Sequence, residues 1–225
     1  GKNYLISYVG MDTDLVLPES FKGETYEIHD YAFYHNFNVL SVVIPDNVTG
    51  IGDYAFSGFK NLQSVYLPPK KTVSIGAYAF EGCENLWSVS AMDYMIEIGE
   101  KAFAETGISC SEIGTNATAL SGNIGDMAFY GCDNITDLTI DRVSTIGANA
   151  FAECRGEIVI NSKEIEMDYP FHSVALDYSW LIGAKFRRVT LGDNITSIGD
   201  YAFSNCDSLT SVTIPDSVTV IGRSA

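Results

Sequence analysis

One hexapeptide, with small variations, returns along almost the whole chain. It reads IGDYAF at Ile51 to Phe56, IGAYAF from Ile75, IGEKAF from Ile98, IGDMAF from Ile124, IGANAF from Ile146 and IGDYAF from Ile198, with IHDYAF from Ile28 as a variant. Successive starts lie 23, 24, 23, 26, 22, 52 and 23 residues apart, the last reaching Ile221. The gap of 52 is two units of about 26, the first of them a blurred unit over roughly Ile165 to Ser197 with Phe171 at the Phe position. Self-similarity at such a period means that each repeat is one structural unit stacked on its neighbours. Seven full units with the hexapeptide lie between Ile28 and Val220, the blurred unit among them; residues 1–27 precede them and a truncated eighth hexapeptide unit occupies 221–225.

A second element recurs between the hexapeptides. It appears as Val39/Val42/Ile44/Pro45, Leu62/Val65/Leu67/Pro68 and Leu209/Val212/Ile214/Pro215, while Ile135/Leu138/Ile140 and Phe186/Val189/Leu191 keep the apolar positions without Pro. Its last three positions alternate in, out, in, which is the period of a strand with one buried face. Proline straight after the strand removes a donor and ends the ladder. Val48, Val143, Ile195 and Val218, three residues before the next Ile-Gly, start a short second side of each coil. The Gly of Ile-Gly either supplies a positive φ or lets backbone approach backbone at a corner, and the Ala leaves room for a neighbouring Phe. Stacked coils then bury a spine of Phe33, Phe56, Phe80, Phe103, Phe129, Phe151 and Phe203. A single unit cannot bury its own apolar face, whereas neighbours in a parallel ladder hide it on both sides. The expected fold is a mainly-β or α/β solenoid with one short parallel strand per coil of 22–26 residues, right-handed because parallel crossovers almost always are. Before the first unit, Tyr4 to Val9 and Asp14 to Pro18 read as two strands joined by Gly10-Met11-Asp12-Thr13, a β-hairpin cap for the first coil. Gly222 to Ala225 present an open edge, so further chain is expected beyond them.

In these residues the chain resembles the BspA-like leucine-rich repeats, whose unit reads approximately L-x-x-V-x-I-P-x-x-V-x-x-I-G-x-x-A-F-x-x-C. The resemblance covers about Leu15 to Ala225. It departs from the family pattern at His29 in place of Gly, in the missing Ala-Phe after Ile165, and in an excursion between Glu166 and Lys185. The resemblance implies a leucine-rich-repeat solenoid without enzymatic activity, secreted or attached to a cell surface, that binds host, matrix or cell-surface proteins.

Composition narrows the function classes. A net charge of −16 and a pI near 4.3 repel phosphate backbones and anionic membranes, so nucleic acid is not expected as a partner. No apolar run approaches 18 residues, and membrane insertion is not expected. Three histidines, His29, His35 and His172, offer few general bases, and the known hydrolase, metalloprotease, phosphate-loop and dinucleotide motifs are missing. No cofactor or metal is expected; Asp133, Asp137 and Asp141 read as a solvated acidic face. Cys83, Cys132, Cys154 and Cys206 all follow the Phe by three residues, the position of Phe59 and Asn36 in other coils. A Cys132–Cys154 disulfide fits the expected coil spacing, but parallel Cβ directions favour reduced, buried thiols. Cys110 is expected to face outward. Asn38, Asn61, Asn85 and Asn134 are placed to satisfy loop backbone groups. Tyr31, Tyr54, Tyr78 and Tyr201 read as a stacked surface ladder.

Binding in a solenoid falls to outward strand positions. Most of these are small and polar here. Tyr66, Trp87 and Arg188 are the exceptions, and Tyr and Trp are residue types that anchor interfaces. The excursion holding Tyr169, His172, Tyr178 and Trp180 breaks the period, which reads equally as a binding insertion or as a plug for a widened coil. Three uses of these candidates remain: a protein-binding face, a structural spacer or stalk of a longer surface protein, and a carbohydrate-binding surface on Tyr66, Trp87 and Trp180.

Overall fold

A computed structural model describes residues 2–33, 38–95, 97–109, 112–113, 122–140, 145–160, 181, 184–193, 195–200 and 202–225. Its strands are short. In chain order they are β1 (Tyr4–Leu5), β2 (Asp14–Val16), β3 (Tyr26–Ile28), β4 (Ser41–Val43), β5 (Val48–Ile51), β6 (Ser64–Tyr66), β7 (Ser74–Ile75), β8 (Ser88–Val89) and β9 (Glu97–Ile98). They continue as β10 (Glu112–Ile113), β11 (Asn123–Ile124), β12 (Asp137–Ile140), β13 (Thr145–Ile146), β14 (Arg155–Ile160), β15 (Lys185–Leu191), β16 (Ser197–Ile198), β17 (Ser211–Thr213) and β18 (Val220–Ile221).

All pairings among these strands are parallel, and the chain alternates between two sides. One side is a seven-stranded sheet, β1-β3-β5-β7-β9-β11-β13, continued by the pair β16-β18. The other consists of a four-stranded sheet, β2-β4-β6-β8, and a five-stranded sheet, β10-β12-β14-β15-β17. The fold is therefore a mainly-β, parallel-strand solenoid. Each regular coil carries the expected strand and a second one, because the residues leading into Ile-Gly also find a backbone ladder in the coil before. In the irregular unit β14 pairs directly with β15, with residues 161–184 between them in sequence, and the register shifts at Gly156/Glu157.

The N-terminal strands form where expected but not as a hairpin. β1 pairs in parallel with β3, and β2 in parallel with β4. The turn between them is long enough to cross the thickness of the solenoid, so residues 4–16 lie on the first coil as a further coil. Tyr8 closes the end of the core there, its ring 5.7 Å from that of Phe33.

The interior is one continuous apolar cluster. Phe33, Phe56, Phe80, Phe103, Phe129 and Phe151 stack with centroid separations of 4.6, 5.2, 5.3, 5.5 and 5.3 Å and planes within 12° of parallel. Phe203 is only half-buried. The two roles considered for the motif glycine are now separated. A Cβ built on Gly76 would meet the backbone N of Asp53 at 2.7 Å, and Gly52, Gly99, Gly125, Gly147 and Gly222 are crowded by the preceding coil in the same way. Close approach is their reason. Positive φ falls instead on the second residue after Gly, as at Tyr54, Tyr78, Lys101 and Met127, and on the second residue after Phe, as at Gly58, Gly82, Glu105 and Gly131. His29 replaces the motif glycine where the neighbour is the first half coil, and its ring stands edge-on to Tyr4 at 5.4 Å.

These two backbone classes respond oppositely to substitution. Gly76→Ala forces a methyl group into backbone and lowers the unfolding free energy by about 1–3 kcal/mol. Glu105→Gly relieves a left-handed residue (φ 56) and removes a carboxylate that repels Glu81; with glycine's chain entropy set against this, it raises stability by about 0.5 kcal/mol. Urea unfolding monitored by circular dichroism reads both signs.

Candidate functional site

The outward surface of β2-β4-β6-β8 is the most differentiated part of the molecule. Registers Leu15↔Val42↔Val65↔Val89 put the inward residues in one row, so the residues flanking them form two outward rows. Asp14, Ser41, Ser64 and Ser88 make the first row; the Ser41 hydroxyl donates to Asp14 Oδ1 at 2.6 Å, and Ser64 is nearly covered. Val16, Val43 and Tyr66 make the second, continued by Ser90. Tyr66 is 49% exposed and Trp87, just before β8, is 59% exposed. They stand about 10 Å apart along the strand direction, three residues of extended chain, with the two serines Ser64 and Ser88 between. This brings the expected pair, Tyr66 and Trp87, onto one face.

Two apolar neighbours on that face escaped the sequence reading. Val16 occupies the same outward position as Tyr66, and Leu40 the same pre-strand position as Trp87; both are exposed. Val16 is not legible from the sequence because a local hairpin leaves β2 outside the ladder. Leu40 was hidden because the alternation used to read the strand starts one residue later, yet Leu-Ser-Val and Trp-Ser-Val are visibly equivalent strings.

The neighbouring sheet is charged instead. Asp137, Glu157, Arg188 and Ser211 share its outward row. Arg188 Nη1 donates to Glu157 Oε1 at 2.8 Å, so this candidate is partnered within the chain. Arg187 is the extra residue of the bulge opposite Gly156/Glu157, a second exposed cation that the periodic reading passed over. Its carbonyl accepts both the backbone N–H and the hydroxyl of Thr210, each at 2.9 Å. Tyr169, His172, Tyr178 and Trp180 lie outside the described residues, as do His35, Cys110, Asp141 and Tyr201.

On one corner Tyr31, Tyr54 and Tyr78 stack at 4.9 and 4.6 Å with planes within 5°. The Tyr78 hydroxyl donates to Glu100 at 2.5 Å, and that bond, with burial second, pushes the phenol up to about 12. Lys101 closes the ladder with its ammonium 5.4 Å from the Tyr78 ring centre. Next to this corner runs an aspartate ladder that the sequence reading did not separate from ordinary surface acids. Asp30, Asp53, Asp126 and Asp200 each use Oδ1 to accept the backbone N–H of the matching residue one coil on: Asp53, Ala77, Ala148 and Arg223. Among the described residues no three His, Cys, Asp or Glu side chains form a group that could hold a metal ion.

Cys83, Cys132 and Cys154 are buried, reduced thiols whose S–H groups point to the carbonyls of Phe56, Phe103 and Phe129 in the preceding coils, at 3.2, 3.0 and 3.3 Å. Thr106 stands at the same repeat position and gives its hydroxyl to the carbonyl of Phe103 in its own coil at 2.8 Å, the carbonyl that Cys132 also addresses. The position therefore holds a small donor that adds a bond to a Phe carbonyl, which hydropathy alone did not disclose; the Phe56 and Phe129 carbonyls also accept the N–H groups of Phe59 and Cys132. Asn85 and Asn134 donate to the carbonyls of Lys60 and Gly107, as their placement suggested.

Short parallel strands stacked in coils of this length, with a small-donor position after an apolar spine, define a leucine-rich-repeat solenoid. The family model described as BspA type leucine rich repeat region matches residues 26–157 and 176–225 in six copies, and the chain belongs to that family. The fold is similar to that of a leucine rich cell surface protein from Faecalibacterium prausnitzii, at 22% identity and a TM-score of 0.56 over 96% of this chain and 67% of that one. A leucine-rich repeat protein from Bacteroides ovatus is also similar, at 22% identity and a TM-score of 0.45 over 95% of this chain and 63% of that one. The chain thus spans roughly two thirds of the length of these solved proteins. No curated protein matches the sequence.

Burial pushes the thiols of Cys83 and Cys132 up from an ordinary value near 9 to about 12. The native state therefore holds protons that the unfolded chain loses, and stability falls as pH rises from about 9 towards 12. At pH 8 iodoacetamide is expected to leave Cys83, Cys132 and Cys154 unmodified in the folded protein and to alkylate all three in urea; peptide mass spectrometry checks this.

Proposed function

We propose that this chain is a non-enzymatic protein-binding module, displayed at a cell surface or secreted, that recognises another protein through the outer face of β2-β4-β6-β8. One observation carries this reading: Tyr66 and Trp87, half exposed, rise from a face whose remaining positions are short, and Val16 and Leu40 extend the apolar area beside them. Large aromatic side chains held on rigid strands lose little entropy on binding, and such residues dominate the energetics of protein interfaces. A surface location draws support from the F. prausnitzii relative, which is itself a cell surface protein. Among the described residues no helix is long and apolar enough to cross a membrane. The partners in view are extracellular host, matrix or cell-surface proteins. Arg188, with Glu157, and the irregular unit holding Tyr169, His172, Tyr178 and Trp180 complete the candidate surface.

A spacer role is the second reading, and the uninterrupted Phe stack from Phe33 to Phe151 favours it, because such a stack resists bending.

The test is capture of extracellular proteins by the immobilised chain and by Tyr66→Ala and Trp87→Ala variants. For the binding reading each variant weakens capture of the enriched protein about 10- to 100-fold, equivalent to roughly 1–3 kcal/mol, with an unchanged melting temperature. Enrichment that neither variant reduces, or no enrichment at all, leaves the spacer. Retention on a glycan array that depends on Trp87 transfers the face to carbohydrate.

A further inference from the structure

The outward row that runs across the strands between Tyr66 and Trp87 carries an ordered charge pattern. By register it reads Asp14, Ser41, Ser64 and Ser88. The backbone continues it past β8, where the Ser109 N–H donates to the Trp87 carbonyl at 3.3 Å, and on β12 the row holds Asp137. Tyr66 stands on one side of this row and Trp87 on the other. The row is therefore a channel with aromatic walls, a floor of serines and an acid at each end. Six strands from β2 to β12 make five spacings, which sets the two acids about 24 Å apart.

Both carboxylates are exposed, and among the described residues neither has a cation as partner. Asp14 Oδ1 accepts only the neutral Ser41 hydroxyl, at 2.6 Å. The cations that could neutralise the channel are placed or engaged elsewhere. Between Thr72 and Asp141 the sequence holds one Lys or Arg, Lys101, and its ammonium lies over the Tyr78 ring at the tyrosine corner. Lys60 and Lys71 pair with Glu84 and Asp46, and Lys70 sits in the turn after Pro69. On the far side of Asp137, Arg188 is held by Glu157.

Distance decides whether these two acids matter beside a total charge of −16. Screening at physiological salt acts over about 8 Å, so remote acids are damped while Asp14 and Asp137 act on whatever enters their own end of the channel. Their separation is about three such lengths, so they act as two points rather than as one field.

We infer that the occupant of this channel is a protein segment with two basic side chains, Arg or Lys, about 24 Å apart, lying across the strands with an apolar stretch between them. The inference rests on the reading of this face as a protein-binding surface and adds the chemistry of the partner. An extended segment covers that distance in about seven residues. One cation meets Asp14 and the other Asp137, while the stretch between them packs against Tyr66 and Trp87 over Ser64 and Ser88. An acidic segment meets an unpaired carboxylate at each end of the same channel, and like charges held together discriminate against it. A neutral glycan leaves both acids unused.

A displayed library of random peptides, selected on chain 1–225 and counterselected on the Tyr66→Ala/Trp87→Ala double variant, tests the inference. Enriched peptides are expected to share two Lys or Arg about seven residues apart with apolar residues between. Asp14→Asn, which keeps an acceptor for Ser41, and Asp137→Asn are each expected to weaken the best peptide about three- to tenfold at low salt, less as salt is added. Asp207→Asn makes the same charge change on a distant coil and is expected to leave the affinity as it was. Asp14→Lys is expected to abolish binding of that peptide and to accept a version whose matching cation is replaced by Glu. All these acids are exposed, so melting temperatures stay unchanged. Peptides that need Tyr66 and Trp87 but are neutral or acidic overturn the inference and leave the binding reading standing. So do peptides that lose as much to Asp207→Asn as to Asp137→Asn. A selection that yields nothing able to tell the wild-type chain from the double variant overturns both.

Discussion

The spacing between coils is set where backbone meets backbone at the Ile-Gly corner. There the glycine N–H of each coil donates to the Ile carbonyl of the coil before, as Gly76 does to Ile51 at 2.7 Å and Gly99 to Ile75 at 2.8 Å. The missing Cβ lets the following residue's N–H reach the aspartate one coil back. Once that distance is fixed, the rest of the interior has little choice. Phe rings 4.6–5.5 Å apart fill the space with no room for a larger neighbour than Ala, and Ala55, Ala79, Ala102, Ala128 and Ala150 are fully buried beside them. Close packing of this kind makes the core intolerant of volume change in either direction.

The fold could be read from the sequence because the same physical problem is solved again in every coil. Repetition supplied the inward positions, the Phe spine, the buried cysteines and the parallel ladder. Where the reading fell short, it did so at residues that one coil does not share with the next. The hairpin at the N-terminus was inferred from two apolar stretches and a Gly-containing turn; ladder partners offered by β3 and β4 outcompeted the local pairing, since each short strand gains a complete neighbour there. Val16 and Leu40 are legible only after that register is known. Tyr66 and Trp87 were legible because they interrupt a series of small residues. That the cysteine position also gives a hydrogen bond to a Phe carbonyl was not legible from hydropathy; the structure shows it, with Thr106 as the polar member of the series.

Repetition also separates structure from function inside a single chain. Inward positions recur because neighbouring coils impose them, whereas an outward residue is under no such demand. Tyr66 lies at a position that holds Val16, Val43 and Ser90 in other coils, Trp87 at one that holds Leu40 and Gln63, and Arg188 at one that holds Glu157 and Ser211, so the ladder does not demand an aromatic ring or a cation there.

Charge is handled by the same stacking. A coil spacing near 4.8 Å would place identical acids of successive coils close together, which is unfavourable in a chain carrying −16. Two devices relieve it. The aspartate ladder gives each carboxylate a backbone N–H from the next coil, and Ala77 and Ala148 interrupt the series of acids. All seven ion pairs among the described residues also run between neighbouring coils: Lys2–Glu27, Lys60–Glu84, Lys71–Asp46, Lys101–Glu81, Arg155–Asp133, Lys185–Glu153 and Arg188–Glu157. Exposed pairs of this kind add little to stability one by one. Their placement shows instead that the few cations are spent on the joints between coils, which leaves the surplus negative charge on the outside, where it repels polyanions and favours a partner with a basic surface.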